Sequence, residues 1–207
     1  MSTQSKDAVV RPIAGEDYLS MFEWYGDANC PHYWNFDRRI LTFRAFLRRI
    51  RNLLTRCSIL VVCKSSGGEP VGYFQLYDIR PWDGWAICAV YLVPRARDLV
   101  FVEHVLRECV QIAFDSYPLR KLYLEAPGFA HHLHMACDRL GFQEQGSISD
   151  YYWFAGRLWP FKRMAMYRDL WEARSRVGKR SAARKPSRGI KGERSQQAPG
   201  PQKMPIA

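Results

Sequence analysis

The chain has 207 residues, enough for one sizeable core, and 47% of them are hydrophobic. Its net charge of +11 is uneven: residues 173–207 hold ten Lys and Arg against the single acid Glu193, so residues 1–172 are nearly neutral. No apolar run has the length of a membrane helix, and Met1 to Asp7 lacks the apolar core of a signal peptide, which predicts a cytoplasmic protein with no membrane partner.

Ala8 to Ile13 reads as a first strand after a flexible N-terminus of residues 1–7. Glu16 to Tyr25 places Tyr18, Leu19, Phe22 and Tyr25 on one side, the pattern of a short helix. Gly26 to Asp37 is a loop dense in aromatics (His32, Tyr33, Trp34, Phe36). Asp37 or Thr42 caps a second helix that runs to about Thr55, with Phe43, Phe46, Leu47, Ile50 and Leu54 on one stripe and Arg44, Arg48 and Arg51 on another face. Ile59–Cys63 and Val71–Tyr77 are β-rich runs joined by a hairpin signal at Lys64–Pro70.

Trp85–Val93 follows the turn Pro81–Gly84 as a nearly unbroken apolar run, the signature of a strand buried on both faces. From Leu99, apolar residues recur at Val102, Leu106, Cys109 and Ala113, which is helical spacing. Lys121–Glu125 is another short strand, and Ala130 to Leu140 another helix that ends at Gly141. Gln143–Phe154 and Phe161–Leu170 read as two more strands around Ala155-Gly156, with an edge or irregularity at Pro160. The order βααβββαβαββ predicts a mixed α/β sheet in one domain over residues 8–172. Residues 173–207 lack aromatics, are rich in Ser, Gly, Pro and Gln, and read as a disordered basic tail. The six cysteines (Cys30, Cys57, Cys63, Cys88, Cys109, Cys137) have no Cys-x-x-Cys spacing and read as reduced, buried thiols.

This order, closing on Asp138-Arg-Leu-Gly-Phe142, resembles the acyl-CoA-binding half of the GNAT N-acetyltransferases. Val10-Arg-Pro-Ile, Val71-Gly-Tyr-Phe and Gly146 add to the likeness, and the aromatic end of the domain looks most like the branch that acetylates protein N-termini, antibiotics and similar amines. The resemblance implies acetyl-CoA or another acyl-CoA as co-substrate and a small-molecule or peptide amine as acceptor. It implies backbone groups of Val90, Tyr91, Leu92 and Val93 along the pantetheine arm. It also implies a pyrophosphate cradle in the following turn, where Arg95, Arg97, Asp98, Leu99, Val100, Phe101 and Val102 stand here. Such a cradle uses helix-terminal amides and glycines that let the backbone approach the phosphates. Arg97 fits its first position, but Val100 and Val102 occupy both glycine positions and Asp98 adds a negative charge. Two readings stay open there, a narrowed cradle and an ordinary helix start with Asp98 as its cap.

The family places a tyrosine before the segment aligned with Asp138–Phe142, where it protonates the departing thiolate; here that residue is Cys137. Cys137 as an acid stands against Cys137 as a packing residue. His134 is a candidate base or relay beside it, and His131 and His132 are read as solvated. The i, i+3, i+6 spacing of His131, His134 and Cys137 lacks a fourth ligand, so no metal is expected. Candidate bases for the amine are Glu125, ending its strand, and Asp83. The expected activity is direct attack of an amine on an acyl-CoA thioester. The alternative is a catalytically degenerate GNAT-fold binding module, with nucleic acid or another acidic partner met by the tail and the Arg-rich helix. The aromatics at His32–Phe36 and Tyr151–Trp153 are either an acceptor pocket or packing.

Overall fold

A computed structural model describes residues 8–26, 41–64 and 68–183. The elements are β1 (Ala8–Pro12), α1 (Asp17–Gly26), α2 (Phe43–Leu54), β2 (Ser58–Lys64), β3 (Pro70–Arg80), β4 (Trp85–Leu92), α3 (Leu99–Ser116), β5 (Lys121–Pro127), α4 (His131–Leu140), β6 (Gln143–Phe154), β7 (Arg157–Tyr167) and α5 (Arg168–Ala183). A 3-10 turn, Pro94–Ala96, links β4 to α3. The seven strands form one mixed sheet in the order β1-β2-β3-β4-β5-β7-β6. Only β4 and β5 are parallel neighbours, and α3 makes the crossover between them.

The sheet carries α3 and α4 on one face. The buried stripe of α3 (Val102, Val105, Leu106, Cys109, Val110, Ala113) is at most 1% exposed. Burial of each large apolar side chain there contributes about 1.5–3 kcal/mol. On the other face Trp24 of α1 packs against Tyr73 and Tyr91, with ring centroids 6.5 and 5.6 Å away. Arg11 of β1 ties α1 to the sheet by a two-pronged ion pair with the buried Asp17, at 2.6 and 2.8 Å. Gly72 is required where β3 meets β4, because a Cβ there would lie 2.2 Å from the Tyr91 carbonyl oxygen. Gly141 closes α4 in the left-handed conformation (φ 86°), as the spacing predicts.

Thr42 caps α2, its side chain accepting from the Ala45 N–H at 3.3 Å, whereas Asp37 and the aromatic loop His32–Phe36 lie outside the described residues. The irregularity expected at Pro160 is present. Opposite it the pairing jumps from Ile148↔Phe161 to Tyr152↔Trp159, because proline has no N–H for the ladder.

Two boundaries differ from the sequence reading. The last strand begins at Arg157 and stops at Tyr167, and the chain continues as α5 through Ala183 where disorder from Ala173 was expected. The physical reason is an anchor that periodicity does not reveal. The Arg168 guanidinium donates to the carbonyls of Phe114, Tyr117 and Leu119 at 2.5–2.7 Å and so caps the C-terminal end of α3. Trp171 is buried and donates to Gln111 of α3 at 3.0 Å. Residues 184–207 lie outside the described residues.

Candidate functional site

The parallel ladder between β4 and β5 is short. It runs from Trp85↔Lys121 to Cys88↔Leu124 and ends there. Beyond it Ala89–Leu92 pair only with β3, and Glu125–Pro127 only with β7. The two strands therefore open into a cleft at their C-terminal ends. Val93 N–H donates to the Val71 carbonyl at 2.9 Å. By the alternation of an antiparallel ladder, Tyr91 and Val93 direct their backbone groups to β3, and Val90 and Leu92 direct theirs into the opening. Of the four residues expected to offer backbone groups, two face the cleft.

The turn after β4 is internally paired. Arg97 turns back and donates from Nε to the Leu92 carbonyl at 2.9 Å, and Arg95 forms an ion pair with Glu69. The Asp98 carboxylate accepts from the N–H groups of Val100 and Phe101 at 3.1 and 3.2 Å, the geometry of a helix N-cap. Asp98 is thus the helix cap of the second reading. Val102 is fully buried and packs into the core, Val100 is exposed, and Phe101 is buried. The first amides of α3 hold the chain's own carboxylate, not a bare anion cradle. Leu99 is half-buried and packs against the core edge.

Glu125 sits at the mouth of the opening, one residue past the end of the ladder. Its Oε2 accepts from the Tyr77 hydroxyl at 2.8 Å, and its Oε1 accepts from Arg163 Nε at 2.7 Å, with Arg163 Nη2 closing an ion pair. The carboxylate is thus fixed by a residue two strands away on β3 and another on β7. Burial and the Glu125 charge push the Tyr77 phenol up, so it stays protonated and donates. Tyr77 and Arg163 were missed in the sequence reading. Strand alternation puts Tyr77 on the same face as Tyr73, but nothing in one sequence pairs positions 77, 125 and 163.

The remaining residues separate. Cys137 has no exposed surface, and burial pushes its thiol up; it packs near Cys88, on the helix-covered face. The acid role expected for Cys137 has no structural support, because a thiol without exposed surface meets no substrate. His134 has its Nε2 2.9 Å from the Pro127 carbonyl and its ring within electrostatic reach of Lys162 of β7. That contact makes Nε2 the protonated nitrogen and leaves Nδ1 a buried acceptor without a partner among the described residues. Among the described residues no hydrogen bond joins His134 to Cys137. His132, read as solvated, is the histidine that faces the α3 side. Burial, with the Arg97 charge, lowers its pKa to about 4, so it is neutral. His131 is exposed and packs edge-on to Trp159 at 6.3 Å. Asp83 lies in the exposed β3–β4 turn, at the end of β4 opposite the opening, so it is no base for this site.

Tyr152 packs against Phe129, while Tyr151 and Trp153 are exposed on the β6–β7 hairpin, so this aromatic group belongs to hairpin packing. Arg44, Arg48 and Arg51 are exposed on α2 as the spacing predicts. The five described cysteines are all buried and unpaired. Among the described residues no cluster of His, Cys, Asp and Glu has the arrangement of a metal site.

A seven-stranded mixed sheet that opens between its one parallel pair, with the helix crossover beside the opening, is the fold of the GNAT N-acetyltransferases. Solved structures bear this out. The spermidine N-acetyltransferase of Vibrio cholerae, in complex with CoA and spermine, superposes with a TM-score of 0.70 at 18% identity, over 81% of this chain and 99% of that one. Mutant forms of the spermidine/spermine N-acetyltransferase from the same organism give 0.69 at 19% identity, over 83% and 99%. The same enzyme in complex with manganese ions gives 0.65 at 21% identity, over 84% and 99%. No protein-family model and no curated protein matches the sequence.

Proposed function

We propose that the chain is an N-acyltransferase that transfers the acyl group of an acyl-CoA, acetyl-CoA first, to an amine by direct attack. The observation that supports this most is the opening past Cys88 and Leu124, into which Val90 and Leu92 direct strand backbone groups that no strand pairs. These groups suit the amides of a pantetheine arm. Arg95 and Arg97 bring positive charge to the end of the opening where a pyrophosphate would lie, and Asp98 is the misfit beside them. The donor supplies an activated thioester carbonyl.

The residues of the chain supply position and proton transfer. Backbone groups of β4 hold the donor in register. Glu125 accepts the proton that the amine loses, since a carboxylate has about four lone-pair sites and the three bonds from Tyr77 and Arg163 leave about one of them open. Tyr77 and Arg163 keep the carboxylate aimed at the mouth.

Calorimetric titration of the full chain with acetyl-CoA and with CoA tests the reading. Micromolar binding of either, followed by thiol release when an amine is added, is the expected result. A folded chain that binds neither overturns it. A second reading, a GNAT-fold binding module without catalysis, draws on the self-capped α3 and the buried Cys137, and it predicts that null titration. A nucleic-acid or acidic partner for the tail rests on charge alone. No described helix is long and apolar enough to cross a membrane.

A further inference from the structure

Lys121 is 8% exposed, and its ammonium makes no hydrogen bond or ion pair among the described residues. The stem is buried while the ammonium keeps exposed surface, as a snorkelling lysine does. Its ammonium lies 4.3 Å from the centroid of the Tyr123 ring and 5.4 Å from that of Tyr167. It shares the open face of the sheet with two further cations. Arg163 lies over the other side of the same site, 5.3 Å from Tyr123, and Arg80 lies 5.8 Å from the Trp85 ring. Arg80 is matched by Asp78 and Arg163 by Glu125. Lys121 is the cation left over, in an aromatic cradle that stabilises its charge without neutralising it.

Lys121 and Glu125 lie on one face of β5, since residues two and four apart in a strand share a side. Strand positions 121 and 125 are about 13 Å apart. A ligand that places an amine at Glu125 and runs along the strand over Tyr123 brings its far end to Lys121.

We propose that Lys121 is the specificity residue of the acceptor site and binds an anionic end group of the acceptor, so that this chain takes amines carrying a carboxylate or phosphate and rejects polyamines. The inference rests on the N-acyltransferase reading for the amine's role, but binding of the anionic group is read separately from turnover. A polycation laid along this face meets Arg80, Lys121 and Arg163, and Glu125, the carboxylate at the mouth among the described residues, already serves Arg163. An anionic end group instead gives Lys121 the ion pair it lacks.

The test uses three matched ligands on the full chain, in calorimetry without donor: 8-aminooctanoate, 8-aminooctyl phosphate and 1,8-diaminooctane. The expected result is that at least one anionic ligand binds about tenfold or more tighter than the diamine, the size of one charge-assisted hydrogen bond. Whichever of the two binds better identifies the end group. Lys121→Met abolishes the preference and Lys121→Arg retains it, with thermal melts confirming that both variants fold. Equal or tighter binding of the diamine, no binding of any of the three, or a preference that survives in Lys121→Met overturns the proposal. Failure of the acyltransferase reading looks different: Lys121-dependent anion binding persists while acetyl-CoA neither binds nor turns over.

Discussion

Asp98 is the residue at which helix stability and donor binding oppose each other. Its carboxylate accepts from two amides at the start of α3, and those amides are where a pyrophosphate would be held in this fold. Asp98→Asn keeps an N-cap acceptor and removes the charge. Caps of Asn and Asp are nearly equivalent, so its thermal midpoint should match the parent, whereas Asp98→Ala should lose about 1 kcal/mol. Removing one negative charge about 5 Å from a phosphate relieves about 0.8 kcal/mol at a dielectric of about 80 and about 3 kcal/mol at about 20. A half-exposed loop lies between these limits, and a value near 1.5 kcal/mol corresponds to about tenfold tighter CoA binding. The assay is calorimetry of parent and Asp98→Asn with CoA at low and high salt, with the gain shrinking as salt screens it. If the parent binds CoA and Asp98→Asn binds it no better at low salt, the anion does not approach this helix end and the placement of the donor is refuted.

The ion pair of Arg11 with the buried Asp17 predicts that Asp17→Asn destabilises the fold by about 3 kcal/mol, as loss of one partner of a buried pair does. Burial alone would raise the Asp17 pKa, but Arg11 and the Ala14 N–H outweigh it and hold the carboxyl below its usual range. Its stabilisation is therefore complete above about pH 4 and lost as pH falls through the lower folded value, so parent and Asp17→Asn melting curves converge in acid and stay apart at neutral pH. Arg168→Ala removes the guanidinium from the carbonyls of Phe114, Tyr117 and Leu119, at and just past the end of α3, and should lower stability by about 2–3 kcal/mol in urea unfolding; a loss under 0.5 kcal/mol refutes the capping role. Tyr77→Phe should lower the acyl-transfer rate about tenfold with CoA affinity unchanged, because it frees Glu125 without touching the β4 backbone; an unchanged rate argues against Glu125 as proton acceptor.

The sheet and its helices were legible because each is specified locally. Trp85–Val93 is apolar throughout, and β4 is buried along nearly its whole length. The Leu99–Phe114 stripe is the buried side of α3, and Gly141 ends α4 where its freedom of φ is needed. The order of elements carried the GNAT resemblance because a single helix-connected strand pair amid hairpins admits few topologies. The site was less legible. Glu125 was found as a strand-ending carboxylate, but its partners Tyr77 and Arg163 come from strands 48 and 38 residues away. His132 departs from the solvated reading because helical spacing gives relative angles and not which flank of α4 meets α3; the flank is fixed by Leu133, Ala136, Cys137 and Leu140 packing down. The helix α5 was missed for the same reason: Arg168 and Trp171 are polar and aromatic residues whose partners lie about 50–60 positions back.

The groups around the opening share one property, that nearly all are already paired within the chain. Leu92 C=O holds Arg97, the α3 amides hold Asp98, Arg95 holds Glu69, and Glu125 holds Tyr77 and Arg163. A ligand entering here exchanges these bonds for its own, and such an exchange gains little for each neutral bond. The net gain must come from groups with no hydrogen-bond or ion-pair partner among the described residues: the β4 backbone of Val90 and the ammonium of Lys121. Donor affinity should then depend on the pantetheine arm more than on the nucleotide, so acetyl-pantetheine should bind nearly as tightly as acetyl-CoA to the parent and lag behind it in Asp98→Asn. Acetyl-CoA binding far tighter than acetyl-pantetheine in the parent would show that the self-capped turn rearranges to take the phosphates, and would place the energetic centre of the site at α3 instead of at β4.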